Sequence, residues 1–480
     1  MMVTVMAESL SAWWPETLLS LGALTVMLVS AWTRHPAVTL SAVWATLLLA
    51  AAALWQAEVP AHGLVFHGLI AIDLLSQAFR WIALASVTIT VLLVMASREF
   101  DLARRGESLG LFLLVGVGFM LMAEANHLLV AYLAVEMVSL GSYALVGHLH
   151  EPRSAEAGLK YLLFGALSSG IMLFGMSLLY GLAGTLGLPE LLDAMAQLDA
   201  PPPALLLVAV VMVLAGLGFK ISMVPFHLWT PDAYEGAPVP VAALLSVGSK
   251  AAGLALLLRI GQALAPLWPA LHAVVIVLTV VTMTLGNFAA LAQTNVKRLL
   301  AYSTIGQVGY VLIGIAAHTR FGAEALLVYV IAYLFMNLGA FACVVAVVNE
   351  TGSESVDAFR GLARRAPGLA LLCALFLLSL AGIPPLLGFF GKFLLLGAAL
   401  DAGLTGLALA AVINSAVALY YYVLLIRQMY LAAAPDAPRL RPSAPLRLAL
   451  GVCAAGTVLL GLFPSPLLEL VRRVGAANLL

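Results

Sequence analysis

The sequence predicts an all-α polytopic membrane protein of about fourteen transmembrane helices, each formed by an apolar run long enough to cross a bilayer. Three observations lead there. Charged residues make up only 10% of the chain, against roughly 25% in a soluble domain. Hydrophobic residues make up 63%, and the mean hydropathy is +1.08. Runs of about 20 apolar residues, each matched to a hydrocarbon core roughly 30 Å thick, recur from end to end. No stretch has the composition of a separate water-soluble catalytic domain. Formal net charge is zero, so global charge points to no nucleic acid or other charged partner.

The spans fall near 13–33, 38–56, 74–97, 108–123, 126–147, 157–183, 204–228, 237–258, 268–291, 298–317, 323–348, 367–399, 405–431 and 446–465. Glu8, with no Lys or Arg before Arg34, leaves no basic n-region for a cleavable signal, so the first run counts as a span. Residues 187–199 space Leu188, Leu191, Leu192, Met195 and Leu198 at helical intervals, which predicts a short amphipathic helix on the membrane surface. Loop charges orient the chain. With the N-terminus outside, most of the 23 Lys and Arg fall on inner connections, among them Arg34, Arg98, Arg104, Arg153, Lys160, Arg298 and Arg360. Outer connections and ends receive Arg80, Arg259, Arg320, Arg472 and Arg473. The positive-inside rule then puts both termini outside.

The chain echoes itself. Ser-Tyr-Ala-Leu-Val-Gly (142–147) ends the fifth span, and Gly-Tyr-Val-Leu-Ile-Gly (309–314) sits late in the tenth. The seventh span holds Lys220 with Pro225; the twelfth holds Pro384 and Pro385 with Lys392. Repeats of five spans, four to eight and nine to thirteen, have opposite orientations because five is odd. Paired broken segments in corresponding places are the sequence mark of a transport site. The predicted organisation is an N-terminal three-helix region (1–107), a first repeat (108–258), a second repeat (268–431) and a C-terminal span (446–480).

Lys220, Lys250 and Lys392 all fall within spans, and Glu136 is the one carboxylate placed deep in a span. Each lysine near mid-membrane costs about 2.5–3.5 kcal/mol on insertion scales, so three need a purpose. An amine taken out of water holds its proton less firmly, and a carboxylate nearby restores the hold. Moving Glu136 relative to Lys220 therefore switches an amine between holding and releasing a proton, with no metal or cofactor. The plainer alternative is a Glu–Lys pair that only joins two helices.

Proline shows where such groups find solvent. Pro225 lacks the N–H that would bond the Ile221 carbonyl, and Pro384 and Pro385 free those of Leu380 and Ala381. Freed carbonyls at membrane depth are tolerated only where protein or water meets them. His227 follows the first break and is either a proton-passing group at the inner mouth or a hydrogen-bonded structural histidine. His127, His148, His150 and His318 lie near span ends and read as interfacial; Asp232 and Glu235 read as caps or solvated groups of the inner loop. Cys343, Cys373 and Cys453 are far apart in apolar runs and read as packing residues. Gly391-Lys392 is no phosphate loop, because Phe393 stands where Ser or Thr is required. No motif predicts NADH, flavin, haem, an iron–sulfur cluster or quinone in this chain.

Gly-Phe-Lys-Ile-Ser-Met-Val-Pro-Phe-His-Leu-Trp-Thr-Pro-Asp-Ala-Tyr-Glu-Gly-Ala-Pro (218–238) and Asn-Val-Lys-Arg-Leu-Leu-Ala-Tyr-Ser-Thr-Ile-Gly-Gln-Val-Gly-Tyr (295–310) resemble the hallmarks of the antiporter-like membrane subunits of respiratory complex I, the proton-translocating NADH:quinone oxidoreductase. The Tyr-Glu-Gly-Ala-Pro ending is similar to the N-type branch; L- and M-type chains typically show a His-Ala-Pro-type ending. The resemblance spans roughly residues 70–430. It implies a fourteen-helix membrane-arm subunit with two inverted repeats and a conformationally driven proton channel. It also implies proton-transfer roles for Glu136, Lys220, Lys250 and Lys392. Lysine at 392 departs from the M-type pattern and agrees with the N-type, and the long lateral helix of L-type chains has no counterpart here. Redox chemistry, with NADH, flavin, iron–sulfur clusters and quinone, belongs by this resemblance to other subunits. The implied partners are an antiporter-like M-type subunit, small K/J-type subunits and the bilayer. The same fold and charges also suit an Mrp-type cation/proton antiporter subunit, a homologous subunit of a related redox complex, or a passive anchor.

Overall fold

The computed structural model describes residues 9–476 apart from 34, 58, 60–62, 101–104, 150, 198–201, 203 and 434–438. The sequence-based readings of Glu8, Arg34, Arg104, His150 and Leu198 lie outside the described residues. Thirteen helices among the rest are long and apolar enough to cross a membrane. They are α1 (Trp14–Thr33), α2 (Pro36–Gln56), α3 (Leu74–Ala96), α4 (Arg105–Glu124), α5 (Leu128–Val146), α6 (Pro152–Ala183) and α8 (Ala204–Ile221). After these come α10 (Val239–Ala263), α11 (Trp268–Ala290), α12 (Val296–Ala317), α13 (Arg320–Thr351), α17 (Thr405–Tyr430) and α18 (Ala444–Leu462). A fourteenth crossing is split between α15 (Pro367–Ala381) and α16 (Leu387–Asp401). Short helices fill connections: α7 (Leu188–Ala196), α9 (Trp229–Gly236), α14 (Leu362–Arg365) and the terminal α19 (Ser465–Ala476).

Local chemistry starts these helices. Asp73 caps α3 reciprocally with Ser76, the carboxylate accepting from the Ser76 N–H at 2.8 Å and the Ser76 hydroxyl from the Asp73 N–H at 2.9 Å. The Asn295 side chain caps α12 and Thr319 caps α13. Proline opens α2, α6, α10, α11, α15 and α18, where its missing N–H costs nothing. Helices apolar all round go to the centre. In α10 94% of the most apolar window is buried, and in α12 and α13 89%, whereas α1 and α18 reach only 28%, so the former are the axis and the latter the lipid-facing rim. Backbones meet closely where glycine allows it: a Cβ on Gly286 of α11 would lie 2.3 Å from the Gly306 nitrogen of α12.

Several features differ from the sequence reading. A two-stranded hairpin, β1 (Leu64–Val65) with β2 (Ile70–Ala71), precedes α3 in what reads as plain connection. Its loop is fixed by Asn126 Nδ2 donating to the Gly68 carbonyl at 2.8 Å. The surface helix in 187–199 forms as α7, with Leu188, Leu191 and Met195 buried and Leu192 left half-exposed. The amphipathic α19 has no counterpart in the sequence reading; it buries Leu467, Val471 and Val474, and the Arg472 carbonyl accepts from Arg320. Arg80 and Arg259 do not lie in connections. Arg80 falls within the expected span 74–97 itself and Arg259 within α10, which runs on to Ala263; both are buried in ion pairs, Arg80 with Glu16 and Glu124, Arg259 with Asp73. Two further carboxylates, Glu16 in the first turn of α1 and Glu124 at the end of α4, are fully buried at helix ends.

Candidate functional site

Two helix breaks frame the site, and they are built alike. After α8, Ser222 takes a left-handed backbone (φ 66°); the Met223 N–H bonds the Gly218 carbonyl at 2.7 Å and the Ser222 N–H that of Phe219 at 3.1 Å. After α15, Gly382 is left-handed (φ 92°); the Ile383 N–H bonds Leu378 O and the Gly382 N–H bonds Ser379 O, each at 3.0 Å. Both are Schellman terminations. Pro225 and Pro385 each follow the left-handed residue by three positions, with Pro384 just before the second. The lysines are placed differently: Lys220 precedes its break and Lys392 follows its own.

The carbonyls freed at the second break are both met by protein. Gln307 Nε2 donates to Leu380 O at 3.1 Å, and Lys392 Nζ donates to Ala381 O at 3.1 Å. At the first break the carbonyl taken up is that of Phe219, two residues before Ile221, which accepts from the Trp229 indole at 3.0 Å.

Lys220 is fully buried, and its ammonium donates to Ser139 Oγ at 3.1 Å. Ser139 lies one turn beyond Glu136 on α5, on the same face. Glu136 makes no direct ion pair with Lys220, and its buried Oε1 has no hydrogen-bond partner among the described residues. Ser139 therefore stands where the sequence suggests direct pairing. Lys250, in the most buried helix, is 1% exposed and also lacks a hydrogen-bond partner. Its Nζ sits 4.5 Å from the ring centroid of Trp229 and 5.5 Å from that of Tyr234. Trp229 stacks on Tyr161 at 4.1 Å, so aromatic faces hold the ammonium in place of oxygen. Lys392 lies 4.1 Å from the Tyr310 centroid and donates to Ser415 Oγ at 3.4 Å; Ser415 in turn donates to Tyr310.

Polar side chains fill the interval between Lys250 and Lys392. Ser246, one turn from Lys250, accepts from Asn337 Nδ2 at 2.6 Å. Asn337, Tyr333 and Tyr329 form an i, i+4 ladder on α13; Tyr333 donates to Thr304 Oγ1 at 2.8 Å and Tyr329 to Gln307. Gln307 continues to Tyr422 at 3.2 Å. Sequence reasoning missed these residues. The signal that could have found them is polar groups recurring every fourth residue through the apolar run 323–348.

At one end of the bundle, α9 is held by ions. Asp232 pairs with Lys160 at 3.0 Å and Arg298 at 2.7 Å; Glu235 pairs with Arg153 and Arg298, each at 2.8 Å. Burial pushes the Asp232 carboxyl up, but the hydrogen bonds from Lys160 and Arg298 outweigh it and hold it below its ordinary range. Asp232 and Glu235 are thus ion-pair partners more than caps. Nearby Lys297 bonds Glu354 and, at 2.7 Å, the Ala237 carbonyl. Glu99 accepts from the first N–H of α10, at Val239, and burial holds its carboxyl above the ordinary range despite Lys297. His227 is 6% exposed, and its Nδ1 has no hydrogen-bond partner among the described residues. His148 stacks on Phe100 and His318 on Trp268, and His127 caps α5. The three cysteines are free and buried. Among the described residues no three His, Cys, Asp or Glu side chains are grouped to hold a metal ion.

A family described as NADH:quinone oxidoreductase/Mrp antiporter, transmembrane, matches residues 125–418. The NADH-quinone oxidoreductase subunit N of Anaeromyxobacter sp. is 41% identical, aligned over 94% of this chain and 92% of its own. A chain in the structure of respiratory complex I from Thermus thermophilus with bound aureothin is 34% identical with a TM-score of 0.80, covering 95% of this chain and 98% of that one. A chain of the Mrp complex from Dietzia sp. superposes with a TM-score of 0.84 at 23% identity, covering 98% and 97%, a likeness of fold.

Proposed function

The chain belongs to the NADH:quinone oxidoreductase/Mrp antiporter family of transmembrane subunits, and from that premise we propose that Glu136, Lys220, Lys250 and Lys392 carry protons through an N-type membrane-arm subunit. The chain is a multi-pass membrane subunit of an NADH:quinone oxidoreductase and translocates protons coupled to electron transfer in that complex. The observation that carries the residue assignment is Lys250: a buried ammonium with no hydrogen-bond partner among the described residues, resting on aromatic faces midway along α10. A purely structural cation would be paired.

In this reading a proton enters from the ionic face past His227 and reaches Lys220, whose hold depends on Glu136 one turn from Ser139. Lys250 accepts it when Lys220 gives it up, since two neighbouring ammonium groups repel. The Ser246–Asn337–Tyr333–Tyr329–Gln307 row then bridges toward Lys392, from which the proton leaves. Pro225, Pro384 and Pro385 serve by keeping the breaks open. The matching terminations support two inverted repeats, 108–258 and 268–431, between an N-terminal region (1–107) and a C-terminal span (446–480). We place the chain in a bacterial inner membrane with both termini periplasmic, beside an M-type subunit and small K/J-type subunits, with redox groups in other chains.

The test is proton pumping per NADH oxidised in inside-out vesicles, comparing wild type, Lys250→Ala and Lys250→Arg at matched assembly. Loss or reduction in Ala with partial retention in Arg is expected. Equal pumping in all three overturns the assignment. Sodium exchange by the isolated chain would favour the antiporter reading.

A further inference from the structure

Away from the lysine row, a second group of charges lies wholly inside the bundle. Arg80 of α3, Glu16 of α1 and Glu124 of α4 are each 0% exposed. Arg80 donates through Nε to Glu16 Oε1 at 2.8 Å and through Nη2 to Glu16 Oε2 at 2.6 Å, with Nη2 also reaching the Ala12 carbonyl at 3.2 Å. The guanidinium fork is thus committed to Glu16. Glu124 Oε2 accepts from the Trp13 indole at 3.0 Å. Glu124 Oε1 lies 2.9 Å from Arg80 Nε, but that N–H points to Glu16; this oxygen accepts no hydrogen bond, and Arg80 Nη1 has no partner. Glu16 Oε1 and Glu124 Oε1 thus both crowd the same Arg80 Nε, at 2.8 and 2.9 Å.

Two facts decide the protonation. Ionised carboxylates are acceptors alone, and the one N–H that both Oε1 atoms approach is committed to Glu16, so Glu124 Oε1 faces a second carboxylate oxygen with no donor between them unless one of the two carries a proton. One guanidinium neutralises one carboxylate, and a second negative charge without water is strongly penalised. The charged groups acting on Glu124 are Glu16 and Arg80, and Trp13 supplies only a neutral donor. We propose that Glu16 and Glu124 share one proton beside Arg80, forming a proton-holding site separate from the lysine row and independent of its assignment.

The site is fastened to the helix that carries Lys250. Arg259 of α10 grips Asp73, the cap of the Arg80 helix, at 3.0 and 2.8 Å, and donates to the carbonyl of Ala123, next to Glu124. A shift of α10 therefore alters the spacing of Arg80 and Glu124, and with it the hold on the shared proton.

Infrared difference spectroscopy of the purified, assembled complex tests this, with wild type compared against Glu124→Gln and Glu16→Gln in light and heavy water. Glutamine fills the same volume and supplies the donor that a protonated carboxyl supplies, so both variants are expected to assemble. Each is expected to lose one carboxylic-acid carbonyl band that shifts in heavy water, because the remaining glutamate ionises against Arg80. Loss of carboxylate bands alone overturns the proposal. Failure of both variants to assemble also overturns it, since a neutral side chain at one of the two positions is what the site is said to hold already.

Discussion

Asp232 shows how a single side chain ties the first break to the rest of the bundle. Its carboxylate takes Lys160 from α6 and Arg298 from α12, and these hydrogen bonds, against the opposing effect of burial, hold it below the ordinary carboxylate range. A group depressed in the folded state contributes stability fully above its unfolded value, about 3.9, and loses it as pH falls through the folded value. The thermal midpoint of the detergent-solubilised protein should therefore be lower in Asp232→Asn than in wild type at neutral pH. The gap should close as the pH drops below about 3.9. A gap that stays constant across that window would mean that the ion pairs contribute nothing. The residue was legible in the sequence as polar and inner-facing, but its partners were not. Arg298 is 66 positions away, and only the folded bundle brings it to 2.7 Å.

The second helix break is the element on which Lys392 depends. Gly382 is left-handed at φ 92°, and a Cβ there would lie 2.9 Å from Lys392 Cδ. Gly382→Ala costs roughly 1–2 kcal/mol for the left-handed backbone and pushes the lysine stem away from the Ala381 carbonyl. Assembly retained with pumping several-fold lower is the expected outcome in the vesicle assay; unchanged pumping would show that the position of the ammonium does not matter. Breaks of this kind were readable, because proline inside an apolar run removes a helix hydrogen bond and survives only where another group meets the freed carbonyl. Span positions were readable from composition in the same way. The hairpin at 64–71 and the terminal helix α19 were not, since each owes its shape to contacts with α4 and α13. For Arg259, about one turn of helix past the expected span end is the whole distance between a loop charge and a buried one.

At the scale of the molecule, α13 lends polar groups to the buried axis between the two repeats' lysines. Asn337 bonds Ser246 beside Lys250, and Tyr333 and Tyr329 extend the row to Thr304 and Gln307. Asn337→Leu keeps the branching at Cγ and removes the link. Pumping should fall while NADH oxidation and assembly persist, whereas full pumping would mean that protons bypass α13. This row escaped sequence reading because none of its members carries a charge, and only their four-residue recurrence sets them apart. The middle of the axis also has an optical consequence. Lys250 lies 4.5 Å from the centre of the Trp229 ring, which is stacked on Tyr161. A charge that appears or vanishes so near an indole shifts its electronic transitions, so the proton transfer proposed for Lys250 would register in the ultraviolet spectrum of Trp229, with no dye or label attached.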